Sequence, residues 1–183
     1  MSNFAEINSN YQSLILKQNI TLKELEHLKK TSLNHLSIIN ENLQTYVQMF
    51  NNIISDLSDM LAKDFPYKID IKTYAAVINN IILTNKSQLI SLFVVEIYIN
   101  DIYRSRILAG DEQFFEENKF DKIEKKNIQI MSLVKSCWST LNQNKKEYIK
   151  NATKMLVNVT EEYIKNKDDG NELQKIIIWT DRH

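Results

Sequence analysis

Glycine, proline and cysteine are nearly missing from this sequence, at two, one and one in 183 residues. Tight turns and hairpins draw on Gly and Pro, and average usage is about 7% and 5%. An all-β chain or a Rossmann-type chain is thereby excluded. Gly110 and Gly170 stand alone, so neither a dinucleotide loop nor a P-loop, both of which need clustered glycines, can be built. A single Cys137 allows no intramolecular disulfide, as suits a reducing compartment. No charge is in excess: 23 basic residues meet 23 acidic ones. The basic surplus that would suit a phosphate backbone or an anionic membrane is absent, and no nucleic-acid partner is expected. The most apolar stretch, Leu89 to Ile99, is interrupted by Ser91 and Glu96 and falls short of the roughly 18 residues of a membrane span. Met1 to Asn10 has neither the basic flank nor the apolar run of a signal peptide.

What is present is helical periodicity. Thr21 and Glu24 form a capping box, each side chain positioned to satisfy a backbone donor beside the other. A stripe at three- and four-residue spacing follows: Leu36, Ile39, Leu43, Tyr46, Phe50, Ile53, Leu57, Met60, with Lys29 and Ser32 as polar gaps upstream. One long helix from Thr21 to about Asp64 is expected, ended by Pro66, which forbids helical geometry at the residue before it. A shorter helix carrying Phe4, Ile7, Tyr11, Leu14 and Ile15 precedes it. Beyond Pro66, Asp70 is the expected cap of a helix through Ile82. Asn85 to Ser87 separate it from another that runs through Leu108. The stretch Leu89 to Ile102, apolar on nearly every side, is expected to be the most buried helix. Gly110 stops it, Asp111 opens a short acidic helix ending near Asn118, and Asp121 caps a second long helix to about Lys165. Its stripe reads Met131, Val134, Trp138, Leu141, Tyr148, Ala152, Met155, Val159. Asp168 to Gly170 read as a turn. Ile176 to Trp179 are too apolar for a free end, so they either pack on the bundle or lead toward something apolar.

The fold class is therefore all-α, a bundle of about six to eight helices forming one domain over residues 1–183. Within it, lobes of about 1–65 plus 121–166 and of 70–120 are expected.

Chemistry-bearing patterns are few. Glu24 and His27 make one Glu-x-x-His step, the unit of di-iron bundles, but a second copy is missing. Glu24 reads as a cap and His27 as a surface residue; His35 is likewise unsupported. Cys137 lacks the base and orienting group of a nucleophile and reads as a small buried hydrophobe. The Asp168-Asp169-Gly170 triplet lacks the ligand pattern of a calcium loop. The pairs Glu116/Glu117 and Glu161/Glu162 read as solvated faces. No catalytic, metal or cofactor site is expected, and the chain is not read as an enzyme. The most unusual feature is Tyr103-Arg104-Ser105-Arg106 followed by Asp111, Glu112, Phe114 and Phe115, which holds two of the three arginines. It reads either as an ion-pair network joining one helix end to the next or as a rim that docks a protein partner, with exposed aromatic and Arg anchors.

The middle of the chain reads Leu89 to Asn100 with Glu96, then Gly110-Asp111-Glu112-Gln113-Phe114-Phe115, then Ile128 to Leu141. In this order the pieces resemble the cytoplasmic domain of the DotU/TssL (IcmH/DotU) family of type VI and type IVB secretion systems. Where the family has Gly-Phe-x-Gly-x-Tyr-Arg, this chain reads TLNQNKKEY over Thr140 to Tyr148. The resemblance implies a hook-shaped domain of two three-helix bundles at the cytoplasmic face of the bacterial inner membrane. It also implies a virulence-associated scaffold that binds an IcmF/TssM-like membrane protein and baseplate components without catalysis. Family members carry a membrane anchor at the C-terminus, and the run from Ile176 marks where one could begin. Partner-binding candidates are Glu96, Tyr103, Arg104, Arg106, Asp111, Glu112, Phe114 and Phe115, and a homodimer is open. The alternative is a Bcl-2-like bundle with Leu89 to Ile102 as its central helix and a groove for an amphipathic helix.

Overall fold

The computed structural model describes residues 3–17, 20–116, 134–135 and 137–183. Among these the chain is all-helical, with seven α-helices and no strand. They are α1 (Phe4–Ile15), α2 (Leu22–Asp64), α3 (Ile69–Thr84), α4 (Gln88–Phe93), α5 (Asp101–Ala109), α6 (Glu112–Glu116) and α7 (Gln143–Thr180). A π-helical turn, Val94–Tyr98, follows α4, and a 3-10 turn, Trp138–Thr140, precedes α7. The expected all-α bundle of six to eight helices is the observed class. Expectations at Asn118, Asp121, Ile128 and Met131 lie outside the described residues.

The chain divides into two compact units, one of residues 1–45 and 162–183, the other of residues 46–161. The divisions fall inside α2 and α7, whereas the expected lobes parted at the Pro66 corner. Proline punctuates the chain there, but both long helices carry buried residues on each side of the divisions.

The first unit is built from α1, the N-terminal part of α2 and the C-terminal part of α7. Its core holds Ile7, Leu14, Leu28, Ile39, Leu173 and Ile176, with Tyr11, Leu36 and Trp179 packed against them. Burying each large aliphatic side chain is worth about 1.5–3 kcal/mol. The capping box forms as read: the Thr21 N–H donates to Glu24 Oε2 at 3.0 Å and the Glu24 N–H to Thr21 Oγ1 at 3.4 Å. Two expectations change here. Helix α7 continues through Asp168, Asp169 and Gly170 to Thr180, so no turn exists there. The run to Trp179 packs: Ile176 is buried, and the Trp179 ring meets Tyr11 edge-on at 5.1 Å. Ile177 and Trp179 are part-buried, while Ile178 is half exposed.

In the second unit, Phe50, Ile54, Leu57 and Leu61 give the C-terminal part of α2 its buried stripe. Beyond Pro66, Lys68 caps α3 and Asp70 sits in its first turn, accepting from the Ile71 N–H at 3.0 Å; the expected cap is thus displaced by two residues. Asn51 Nδ2 donates to the Lys86 carbonyl at 2.9 Å and ties α2 to the α3–α4 corner. The second long helix is interrupted. Leu141 is extended (φ −76°, ψ 140°), and Asn142 Oδ1 accepts from the Lys145 N–H at 3.0 Å, opening α7 afresh. This interruption resets the helical phase. Ile149, Leu156 and Val157 are therefore fully buried, while Tyr148 and Met155 of the expected stripe are 44% and 51% exposed.

Candidate functional site

The residues singled out from sequence lie in the second unit, along α4, the π turn, α5 and α6. Local chemistry sets the path. Leu89, Ile90, Phe93 and Ile97 turn inward and are buried. One residue too many for α-helical register is accommodated as a π turn, in which the Ile99 N–H reaches the Val94 carbonyl five residues back, at 3.1 Å. Asn100 then leaves the helix, and its Oδ1 accepts from the N–H groups of Ile102 and Tyr103 at 3.1 and 3.2 Å. The continuous helix expected through Leu108 is thus broken. Nor is it buried on every side, for Val95, Ile99 and Ile102 are 63%, 63% and 67% exposed. The apolar composition hid two faces, of which only one packs inward.

The charged residues form short, local pairs. Arg104 Nη2 meets Asp101 Oδ1 at 2.5 Å, Arg104 Nη1 donates to the Tyr98 carbonyl at 2.8 Å, and its guanidinium lies 4.9 Å from the Tyr98 ring centroid. Burial raises the Tyr98 phenol's pKa, the Glu161 carboxylate adds to the rise, and Arg104 opposes it. Across the corner, Gly110 takes the left-handed conformation (φ 69°, ψ 31°) as expected. There Arg106 Nε donates to Asp111 Oδ2 at 2.5 Å, while Asp111 Oδ1 accepts from the Gln113 N–H at 3.0 Å. The Arg106 hydrogen bond holds the Asp111 carboxyl below its ordinary range, with the two backbone bonds at the start of α6 helping. Lys146 Nζ lies 3.9 Å from Glu112 Oε1 and 5.2 Å from the Trp138 ring centroid.

Phe114 and Phe115 are not exposed anchors. They are 2% and 0% exposed, and Phe115 stacks on Trp138 at 4.7 Å between centroids. Their alternation with acidic residues looked like a rim, but the tight Gly110 corner turns both rings into the core. Glu96, Tyr103, Arg104, Arg106, Asp111 and Glu112 are part-buried, and the Tyr103 ring lies 5.7 Å from that of Phe114. The structure therefore joins Tyr103, Arg106, Asp111 and Glu112 into one polar corner over an aromatic core, with the Arg106–Asp111 pair linking the end of α5 to the start of α6, while Arg104 pairs with Asp101 within α5 and lies over Tyr98. Sequence reasoning missed Val95, Ile99 and Ile102. Asn100-Asp101, a capping residue followed by a first-turn acid within an apolar run, was the available signal.

Elsewhere, Glu24 is a cap and His27 is exposed, as read. Both line a cleft of about 230 Å³ in the first unit, with Asn10, Ser13, Leu14, Lys17 and Leu28. Lys17 Nζ pairs with Glu24 Oε1 at 2.5 Å, and that hydrogen bond, with those from Thr21, brings the Glu24 pKa from 4.5 down to about 2. Cys137 is fully buried. Among the described residues no group of three or more His, Cys, Asp or Glu side chains could hold a metal ion, and no single helix is long and apolar enough to cross a membrane. In comparison with known proteins, no family model, no curated protein and no solved structure matches this chain.

Proposed function

We propose that this chain is a non-catalytic helical scaffold that works by docking other proteins, with the polar corner of α5 and α6 as its contact surface. The observation that carries the reading is the preorganisation of that corner. Arg106 is held by Asp111 at 2.5 Å and lies 5.5 Å from the centroid of the buried Phe114 ring, while Arg104 is held by Asp101 at 2.5 Å over the Tyr98 ring. A rigid rim of this kind loses little conformational freedom when a partner arrives. Its Asp111, Glu112, Phe114 and Phe115 belong to the stretch that resembles the DotU/TssL domain, and that resemblance names the partners: an IcmF/TssM-like membrane protein and baseplate components, at the cytoplasmic face of a bacterial inner membrane. The division of the chain into two compact units supports this reading over a Bcl-2-like bundle with a groove beside one central helix.

The test is co-expression with the cytoplasmic part of the IcmF/TssM-like protein encoded in the same genome. Co-elution with the wild-type chain is expected, weakened at least about tenfold, or about 1.4 kcal/mol, by Glu112→Lys with Arg106→Glu. Failure to co-elute, or binding indifferent to both substitutions, rejects the proposal.

A further inference from the structure

Helix α3 lies at the surface of the second unit, yet no charged residue stands between Lys72 and Lys86. The outward face of a surface helix is ordinarily lined with charged side chains. The inward face is committed to the core, since Ile71, Ala75, Ile78 and Ile81 are buried. The outward line reads Ile69, Thr73, Ala76, Asn80 and Leu83, spaced four and three residues apart in alternation and exposed throughout. Ile69 and Leu83 are 79% and 82% exposed, and Tyr67, just before the helix, is 95% exposed. Single exposed aliphatic side chains are ordinary on a protein surface, but three of the four most exposed large apolar side chains among the described residues belong to this one stretch.

Charge says what covers it. The whole chain is neutral, but from Phe65 to Val95 three lysines, Lys68, Lys72 and Lys86, stand against one acid, Asp70. The Asp70 carboxylate is engaged by the Ile71 N–H at 3.0 Å, while Lys72 and Lys86 are exposed and bracket the uncharged line at its two ends. An uncharged line with a lysine at either end matches a lipid surface, where an apolar layer lies beneath anionic headgroups. Lysine stems follow apolar surface while their ammonium groups reach outward, and a tyrosine ring suits the same boundary. A protein contact would centre on Trp, Tyr or Arg anchors, and the middle of this line, Thr73, Ala76 and Asn80, has none. Together α3 and the segment Gln88–Tyr98 have the length and apolarity of a membrane span, but they are bent by 115° to one another. With the inward face of α3 buried as well, only contact along the surface is open to it.

We infer that the outward face of α3 binds an anionic phospholipid bilayer, lying flat where headgroups meet acyl chains. The contact is one narrow helix face with a lysine at each end, so binding is weak and reversible. The inference does not rest on the proposed docking corner of α5 and α6. Nor does the DotU/TssL resemblance supply it, because the anchor which that resemblance implies begins at Ile176, in the other unit.

Vesicle flotation of the full chain tests it. The chain should float with vesicles of phosphatidylcholine and phosphatidylglycerol in equal parts, and about tenfold less well with phosphatidylcholine alone. Ile69→Ser with Leu83→Ser should weaken partition into the anionic vesicles at least about tenfold. The circular dichroism spectrum should not change, since both side chains are exposed. Lys72→Gln with Lys86→Gln should bring binding of anionic vesicles down to the level of neutral ones. Arg106→Glu with Glu112→Lys, which breaks the proposed docking corner and keeps the net charge, should float as wild type does, so the two proposals fail separately. A wild-type chain that does not float with anionic vesicles overturns the inference; if the serine variant also fails to co-elute with the IcmF/TssM-like protein, the face belongs to a protein. Flotation that either α3-face double substitution leaves unchanged, or that is equal for the two vesicle types, overturns it as well.

Discussion

Gly170 lies against Ile39: a Cβ built on the glycine would stand 3.3 Å from Ile39 Cγ2 and 3.7 Å from Leu36 Cδ1. Within the first unit, α7 and α2 approach closely because one residue has no side chain. Gly170→Ala gains about 1 kcal/mol of helix propensity against a contact that Ile39, 3% exposed, must relieve by a small shift. Its net effect should stay within about 1 kcal/mol. Gly170→Val has no such room and should destabilise by about 1–3 kcal/mol. Urea unfolding of both variants checks the contrast, and a valine variant as stable as wild type would show that the contact is loose.

Glu24 makes the first unit sensitive to acid. Its pKa is depressed in the folded chain, from 4.5 to about 2. Its contribution is therefore present in full above the ordinary value and is lost as pH falls through the folded one. A carboxyl-carbon NMR titration should place Glu24 near that low value, and Lys17→Ala should raise it, because the Lys17 hydrogen bond is the largest cause. Glu24→Gln should remove this part of the acid dependence. A Glu24 midpoint in the usual carboxylate range would contradict the pairing.

Phe115 and Trp138 are stacked within 16° of parallel and fully enclosed. Phe115→Ala should cost about 3–5 kcal/mol, the range for a buried aromatic truncated to Ala, and should shift Trp138 fluorescence. Trp138→Phe should cost less, since Trp138 Nε1 has no hydrogen-bond partner among the described residues. Denaturant midpoints of the two variants should therefore separate clearly, with Phe115→Ala the lower.

Gly110 is the pivot of the polar corner. At φ 69° an added Cβ would also meet Lys154 Nζ at 3.0 Å. The lysine tip can swing away, but the left-handed backbone still costs a non-glycine residue about 1–2 kcal/mol. Gly110→Ala should lower the melting temperature, whereas Gly110→Asn, which tolerates this conformation better, should recover part of the loss. Equal stability of the two variants would mean that backbone strain does not govern the corner.

Several of the helix starts and stops were legible because they are local. The Thr21–Glu24 box, the Pro66 stop, the Gly110 cap and the Asp111 cap each depend on residues within a few positions. The candidate corner was legible only in part. Arg106 and Asp111, five residues apart, pair across the turn as an ion-pair network required. The outward placement of Phe114 and Phe115 failed because the direction a ring takes after a left-handed glycine depends on what lies beneath, here Trp138. Asp168-Asp169-Gly170 misled for a similar reason. The triplet has turn composition, yet the close approach of Ile39 and Leu36 rewards a glycine inside a helix.

Sequence alone determined that this chain is helical, since apolar residues recur at helical spacing and almost nothing in it can turn a strand back on itself. Tertiary structure decided which apolar residues are spent inside and which are left outside. Leu89 to Ile102 is greasy all round, so its periodicity could not rank its faces. The π turn and the Asn100 cap rotated Val95, Ile99 and Ile102 outward, while packing drew Leu89, Ile90, Phe93 and Ile97 inward. Hydrophobic burial is non-directional, so the choice between two equally apolar faces belongs to the shape of the surrounding core.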